Sequence, residues 1–514
     1  MSSTFDLLES PWIPCVRRDG SPVELSLRGV LSGAHELREL HGESPPVTAS
    51  LQRLLLAVLH RVFGPASHKE WADLWEDGRW DDQEVDAYLD RWRHRFDLFH
   101  PERPFYQAPD DRVKPKSVAT LVQEAASGNN PTLFDHHTED QGLTLTPGQA
   151  ARMVVAAQAF GLAGLSGLPQ KFTDGPCARG ICFLVQGDSL FETLALNLLR
   201  YPTSESVLPH NADDCPSWEM DDPFSPPRSY PRGYLDYLTW QNRRILLLPR
   251  STAKAVVVEQ VTAAPGLRLA ADVWDPMKHY SEPRQGQKGG PRSLRFREDR
   301  ALWRDSVALF RFDSDQFHPP RAFYWLGELV DRGHLDISQT RRYLALGMAA
   351  RQARVDFYRA ERMPLPLAYL RDQELVNHLQ DVLEMAEQSG RQLWGATRTL
   401  ATLLLSPESD LEGGRRPAPE DLAGITGQWA VERRYWSRLE VPFMEAVEAL
   451  PRDPERTLEQ WREILLRSAR EAFEHAADNL AHDPRALKAV VRASGQLAAG
   501  LAKALPAEQS AVPA

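Results

Sequence analysis

Gly164-Leu165-Ser166-Gly167 comes nearest in this chain to the turn that presents a nucleophilic serine, but that strained elbow needs Gly-x-Ser-x-Gly, and here the second glycine follows the serine directly. Nucleotide hydrolysis would require a glycine loop ending in Gly-Lys-Ser/Thr, so that amides and one lysine surround the phosphates. The glycines at 161, 164, 167, 175 and 180 lead into no such ending. His136 and His137 are adjacent, and adjacent side chains do not share a helix face as a His-x-x-x-His metal pair must. Cys15, Cys177, Cys182 and Cys215 form no Cys-x-x-Cys pair and have no histidine at ligand spacing, so they read as reduced, buried thiols. Asp81-Asp82, Asp110-Asp111 and Asp221-Asp222 are paired carboxylates in polar loops, with no apolar pocket to raise a pKa. These types and spacings predict no catalytic residue, no metal and no cofactor. What the glycine density at 161–180 does allow is close approach of backbone amides to another molecule, with Lys171 and Arg179 alongside.

The elements that must hold these residues are legible from periodicity. Trp12, Ile13 and Val16 alternate, Asp19-Gly20 turns and Val23 to Leu27 resumes, which predicts a β-hairpin. Leu51, Leu54, Leu55, Val58, Leu59 and Val62 fall at helical spacing over Ser50 to Phe63, as do Tyr88, Trp92 and Phe96 over Asp82 to Phe96. Residues 107–150 are polar and irregular until Thr146-Pro147 caps a helix running to Phe160. Strands are expected at Ile245 to Leu248 and Ala255 to Val261, then a mobile cationic loop from Ser281 to Arg300. Tyr343 to Met348 and Ala353 to Tyr358 predict a second hairpin, with Ala349 to Gln352 as its polar tip. From Pro364 the pattern becomes amphipathic helices over 366–388, 391–405, 427–450, 456–480 and 484–504, with Ser406 to Pro419 as a flexible connection. The fold class is therefore α+β: a large mixed α/β domain over 1–363, followed by a helical, four-helix bundle over 364–514.

Charge is distributed unevenly. The chain is acidic, with 60 Lys+Arg against 71 Asp+Glu, yet residues 228–360 carry 23 basic against 14 acidic side chains. That centre is +9 between flanks of −14 and −6, which suits docking of a polyanion; the plainer reading is a solvated surface. At 514 residues two or three domains are expected, and 14 tryptophans supply large apolar anchors or stacking platforms. No run of about 18 apolar residues spans a bilayer, and Met1 to Pro14 lacks a basic flank before an apolar stretch. A cytoplasmic protein without membrane contact is expected.

With these motifs in order, the chain resembles the CasA family, the large subunit of the type I-E CRISPR Cascade complex. Phe5-Asp6-Leu7-Leu8-Glu9-Ser10-Pro11-Trp12-Ile13-Pro14 resembles the family's start, and Phe96-Asp97-Leu98-Phe99-His100-Pro101-Glu102-Arg103-Pro104-Phe105 its next characteristic stretch. Ser127 to His137 is similar to the first DNA-contacting loop, the glycines after Phe160 to the glycine loop, and Leu346-Gly347-Met348 to Ala353 to the wedge hairpin. The likeness runs through essentially the whole chain, terminal bundle included.

The resemblance implies a protein that is not an enzyme: a reader of the protospacer-adjacent motif in foreign double-stranded DNA. It would promote strand separation and R-loop formation and help recruit the helicase-nuclease effector. Base pairing with the guide identifies the long target, so the protein need read only a short element and hold backbone. Gln352 would stand at the wedge tip, beside Arg351, where the family can carry asparagine, and Ala353, close to the minor groove. Gly161, Gly164 and Gly167 would lie against that groove, and Arg268 and Lys278 are the two candidates for the family's lysine reader. Asn129, Asn130 and Phe134 would anchor the subunit at the 5′ end of the guide RNA, beside the other Cascade subunits. The competing reading is an unrelated helical scaffold, or a hydrolase whose glycine loop binds a small anion.

Overall fold

The computed structural model describes residues 4–122, 142–201, 208, 211–283, 289–312, 314–406, 416–480 and 484–506, and the chain divides into two compact units. Unit 1 comprises residues 1–302 and 311–363; unit 2 comprises 303–310 and 364–514.

Unit 1 opens with the expected hairpin, β1 (Ile13–Arg17) and β2 (Pro22–Leu25), followed by α1 (Leu27–Ser32) and β3 (Leu37–Leu40), which pairs with the other edge of β1. The next helix, α2 (Pro45–Phe63), starts a turn before the apolar spacing becomes visible. Pro45 and Pro46 sit in its first turn, where the missing N–H has no intrahelical partner to lose. Leu51, Leu54, Leu55, Leu56, Val58 and Leu59 are all buried, so this helix is the spine of the unit's core. At about 2 kcal/mol per fully buried aliphatic side chain, it is a principal apolar contribution. Short helices α3 (His68–Asp77) and α4 (Asp82–Arg91) follow. Asp81 proves to be the N-cap of α4, accepting from the amides of Gln83 and Glu84, so this carboxylate pair starts a helix and does not lie in a free loop.

A strand β4 (Lys116–Ser117) precedes α5 (Pro147–Phe160), whose Thr146 and Gln149 close a reciprocal capping box. After β5 (Cys182–Gln186) and the helices α6 (Leu190–Leu196) and α7 (Tyr234–Leu238), the chain forms the long ribbon β6 (Arg243–Ser251) and β7 (Val256–Pro265), which pairs with β4. The cationic loop expected over Ser281 to Arg300 contains a strand: β9 (Arg292–Ser293) pairs with β8 (Tyr280–Ser281) at the loop's start, and residues 284–288 lie outside the described residues. Between α8 (Ser306–Phe310), which belongs to unit 2, and the second hairpin come β10 (Phe317–His318) and α9 (Arg321–Asp331). That hairpin is β11 (Thr340–Arg351) and β12 (Arg354–Pro366), longer than expected and with a turn of only two residues, Gln352 and Ala353. Its inner strand β11 pairs antiparallel with β5, Leu346 opposite Cys182.

Unit 2 is helical, with α10 (Gln373–Leu405), α11 (Pro419–Trp429), α12 (Val431–Ala449), α13 (Pro454–Ala477) and α14 (Pro484–Ala504). Two expectations are corrected. Helices expected over 366–388 and 391–405 are one, α10, which begins at the Asp372 N-cap and runs through Gly390. Gly390 is there for packing, since a Cβ would stand 3.1 Å from the Trp436 ring. The helix expected over 427–450 is two, α11 and α12, separated by Ala430 in a left-handed conformation at φ 50°. The connection expected at Ser406 to Pro419 falls largely on residues 407–415, outside the described residues. Buried tryptophans and tyrosines tie the helices: the Trp461 indole donates to Val382 O (2.8 Å) and the Tyr435 hydroxyl to Ala386 O (2.9 Å). Trp12, Trp71, Trp80, Trp240, Trp303 and Trp461 are fully buried, so these six are anchors and not stacking platforms.

Candidate nucleic-acid interface

Helix α5 stops at Gly161, and the reason is local crowding. A Cβ there would stand 2.4 Å from the Arg243 guanidinium carbon and 2.6 Å from Ala157 O. Arg243, reaching from β6, donates to Leu162 O (2.7 Å) at the entry of the following loop and to Thr173 O (3.2 Å) at its exit. Burial pulls its pKa down to about 10 despite Asp174 nearby. A buried cation thus closes the neck of a loop over 161–175. Above the neck, Gly164 and Phe172 exchange backbone hydrogen bonds (3.2 and 3.0 Å), leaving 165–171 as a projecting tip. Leu165 is 83% exposed, and Gly167 is exposed at φ +80°.

Ser166 accepts from Leu168 N (3.0 Å) and donates to Gln170 O, so its hydroxyl shapes the tip. That employment is structural. The other sequence candidates for acid–base chemistry are likewise engaged: Arg112 holds the Asp110 carboxyl down at about 2, and Asp221 pairs with Arg103 (2.8 Å).

The hairpin supplies the second half of the surface. Arg351, Gln352 and Ala353 are exposed at its tip, and Gln352 adopts φ 54°, a conformation usually left to glycine in two-residue turns. Arg351 pairs with Asp356 (3.0 Å) while its side chain stays 81% exposed. The two halves meet: a Cβ built on Gly164 would lie 3.8 Å from the Ala353 Cβ, an ordinary van der Waals contact. Residues 189 positions apart in the chain therefore share one exposed edge.

Two side chains that sequence reasoning did not assign to the site join these halves. Arg179 donates to Ala350 O (2.6 Å) and Gln352 O (2.7 Å) in the hairpin tip and pairs with Asp174 (3.0 Å). Asp174 in turn accepts from Ala163 N (2.8 Å) in the glycine loop. Arg179 was visible only as a cation among glycines; its acceptors lie some 170 residues away, beyond any local pattern. On the hairpin's other flank a cleft of about 590 Å³ is lined by Arg179, Arg295, Arg297 and Arg351 together with Glu298 and Asp299. Burial, and then repulsion from Arg179, lowers the pKa of Arg295 there.

The remaining candidates fall in different places. Lys278 is buried, 5% exposed, and its ammonium donates to Pro176 O and Arg179 O (both 2.6 Å), beneath the interface. Arg268 is exposed just past β7, next to Leu267, whose carbonyl accepts from Asn242; the same amide reaches Thr173 at the loop's exit. Asn129, Asn130 and Phe134, like His136 and His137, lie outside the described residues. Among the described residues, Cys177, Cys182 and Asp275 form a buried cluster of possible metal ligands. The Arg53 guanidinium sits 3.0 Å from the Asp275 carboxylate and already balances its charge.

A family model described as CRISPR-associated protein Cse1 matches residues 6–472. The chain belongs to the Cse1 family. It is 36% identical over 502 residues to the CRISPR-associated protein CasA/Cse1 of Thermus thermophilus, covering 95% of each chain. Its fold is similar to crystalline Cse1 from Acidimicrobium ferrooxidans, with a TM-score of 0.82 and 28% identity over 98% of this chain and 99% of that one. A chain from a CRISPR RNA-guided surveillance complex shares the fold at a TM-score of 0.75 and 24% identity, over 96% and 99% of the two chains. Membership of the Cse1 family agrees with the resemblance read from the motifs, and the α+β architecture is the family's own.

Proposed function

We propose that this chain is the large, non-catalytic subunit of a type I-E CRISPR RNA-guided surveillance complex, reading the protospacer-adjacent motif in foreign double-stranded DNA and prying open the first target base pair. The observation that carries this is the meeting of the glycine loop and the hairpin tip on one edge, where a Cβ placed on Gly164 would touch the Ala353 Cβ at 3.8 Å. Glycines at 164 and 167 let the backbone of such a loop lie against a minor groove, where the pattern of donors and acceptors is degenerate, so a tolerant motif preference follows. A glutamine displayed beside it can enter below the motif. Unstacking there costs a few kcal/mol, offset by pairing of the opened strand with the guide.

Arg268 and Arg351, both exposed, serve as base or phosphate contacts, and Lys278 acts from beneath by holding the carbonyl of Arg179. The partners are the target duplex, the 5′ end of the guide RNA, bound by Asn129, Asn130 and Phe134, the other Cascade subunits and the helicase-nuclease effector. Among the described residues no helix is long and apolar enough to cross a membrane, and the reading places the protein in the cytoplasm with its DNA.

The test is R-loop formation on linear target by the reconstituted complex. Gln352→Ala is expected to fold and assemble but to open the target about tenfold more slowly, a loss of one short-range transition-state interaction. Wild-type rates in that variant would remove the wedge from the proposal, and a complex with no dependence on the motif would remove the DNA-reading role.

A further inference from the structure

We propose that Asp174 and Arg179 are positioning residues for duplex opening, a clamp that sets the glycine loop and the Gln352 tip at one fixed separation. This deepens the duplex-reading role just proposed and rests on it. The three acceptors of Arg179 are the carbonyl of Ala350 at 2.6 Å, that of Gln352 at 2.7 Å and the Asp174 carboxylate at 3.0 Å. A planar, rigid fork of donors matches acceptors spread across two elements in this way; a lysine ammonium is a compact point charge on a flexible stem without that geometry. Through Asp174 and the amide of Ala163 (2.8 Å) the same guanidinium is coupled to the loop that carries Gly164 and Gly167.

The conformation of the tip shows what the clamp does. Gln352 at φ 54° is in left-handed backbone, which costs an L-residue other than glycine roughly 1 kcal/mol. A glycine would relieve that cost but display no side chain. With two carbonyls of the turn drawn to one guanidinium, the glutamine is held in this conformation and its amide is aimed from a fixed point.

The clamp itself stands on a rigid base. Gly180 is at φ +97°, and a Cβ there would lie 2.7 Å from the Ser293 hydroxyl. The carbonyls of Pro176 and Arg179 are both gripped by the buried Lys278 ammonium (2.6 Å each). Below that, Cys177 packs on Asp275, which is paired with Arg53 (3.0 Å) in the core. Positions 176–181 therefore transmit the placement of the core to the hairpin tip, and a fixed wedge loses less free energy to ordering when DNA arrives.

The experiment uses the complex reconstituted with guide RNA and its partner subunits. R-loop formation is followed by 2-aminopurine fluorescence at a base pair beyond the first few, on a fully paired target and on one whose first base pairs are mismatched. Arg179→Ala and Asp174→Asn are expected to slow opening of the paired target by about tenfold. The pre-opened target should restore near wild-type rates, which a merely misfolded subunit would not allow. Because Arg179 acts through Gln352, the double variant Arg179→Ala/Gln352→Ala should be no slower than Gln352→Ala alone.

The clamp is overturned if Arg179→Ala opens paired target at the wild-type rate while Gln352→Ala is slow, if the two effects multiply, or if the pre-opened target fails to rescue. Should Arg179→Ala not assemble, Arg179→Lys, which keeps the charge but lacks the fork, carries the same expectation of slow opening. Wild-type opening by Gln352→Ala itself would sink the wedge, and the clamp with it, a pattern distinct from failure of the clamp alone.

Discussion

Three glycines that look alike in sequence have three different physical reasons to be glycine. Gly161 is enclosed, with Arg243 and Ala157 O where a side chain would be; Gly164 faces Ala353; Gly167 is exposed at φ +80° with open space around it. The density of glycine at 161–180 was legible as permission for close approach, but which glycine permits approach by a ligand and which by the protein itself was not. Gly161→Ala is therefore expected to destabilise unit 1 by about 1–3 kcal/mol, the usual cost of overpacking a filled site. A denaturation midpoint unchanged from wild type would show that Arg243 and the end of α5 can yield freely. Lys278 makes the same point about charge: a lysine in a basic stretch looks like surface, yet it is 5% exposed and bound to two carbonyls.

Among the elements, the apolar spacing that announced α2 and the helices of unit 2 survived folding because burial of one face is what stabilises such helices. Their ends were less legible. Ser389-Gly390 looks like a stop, but a helix ends where carbonyls find other partners, and here the helix continues because Trp436 and Tyr435 pack against the bare Cα of Gly390. A larger residue must push those rings away. Gly390→Leu is expected to cost about 1–3 kcal/mol, seen as a lower denaturant midpoint for the helical unit; a stability equal to wild type would mean that the rings have room to move. The hairpin was read correctly as two strands and a tip, whereas both strands run further than their apolar patterns show, and Arg342 to Leu346 of β11 find partners in β5.

At the level of the whole molecule, the basic centre of 228–360 is a weaker field than its +9 suggests, because many of its cations are already engaged. Arg341 pairs with Glu192 and Arg304 with Glu387, acids outside the stretch, and Arg243 is buried, whereas the pairs Arg297–Asp299 and Arg351–Asp356 are already counted in the net charge. The two exposed pairs, Arg297–Asp299 and Arg351–Asp356, are each worth about 0–1 kcal/mol, so a DNA phosphate docking there would displace the carboxylate. Motif-dependent binding by the complex should weaken as salt rises, through release of counterions. If Arg351 meets a phosphate, Arg351→Gln lowers the log–log salt slope by about one; an unchanged slope would take Arg351 off the backbone contact.

Fold class, a hairpin with a polar tip and the charge asymmetry were legible in the chain because they are properties of local pattern and composition, and the order of its motifs carried the resemblance to the family. Folding alone made the glycine loop and the tip neighbours, joined them through Arg179 and Asp174, and buried Arg243 and Lys278 away from the surface. The reason is physical: whether a side chain is a ligand contact, a clamp or a filler depends on which partners it meets across hundreds of residues, and the folded chain alone brings those partners together.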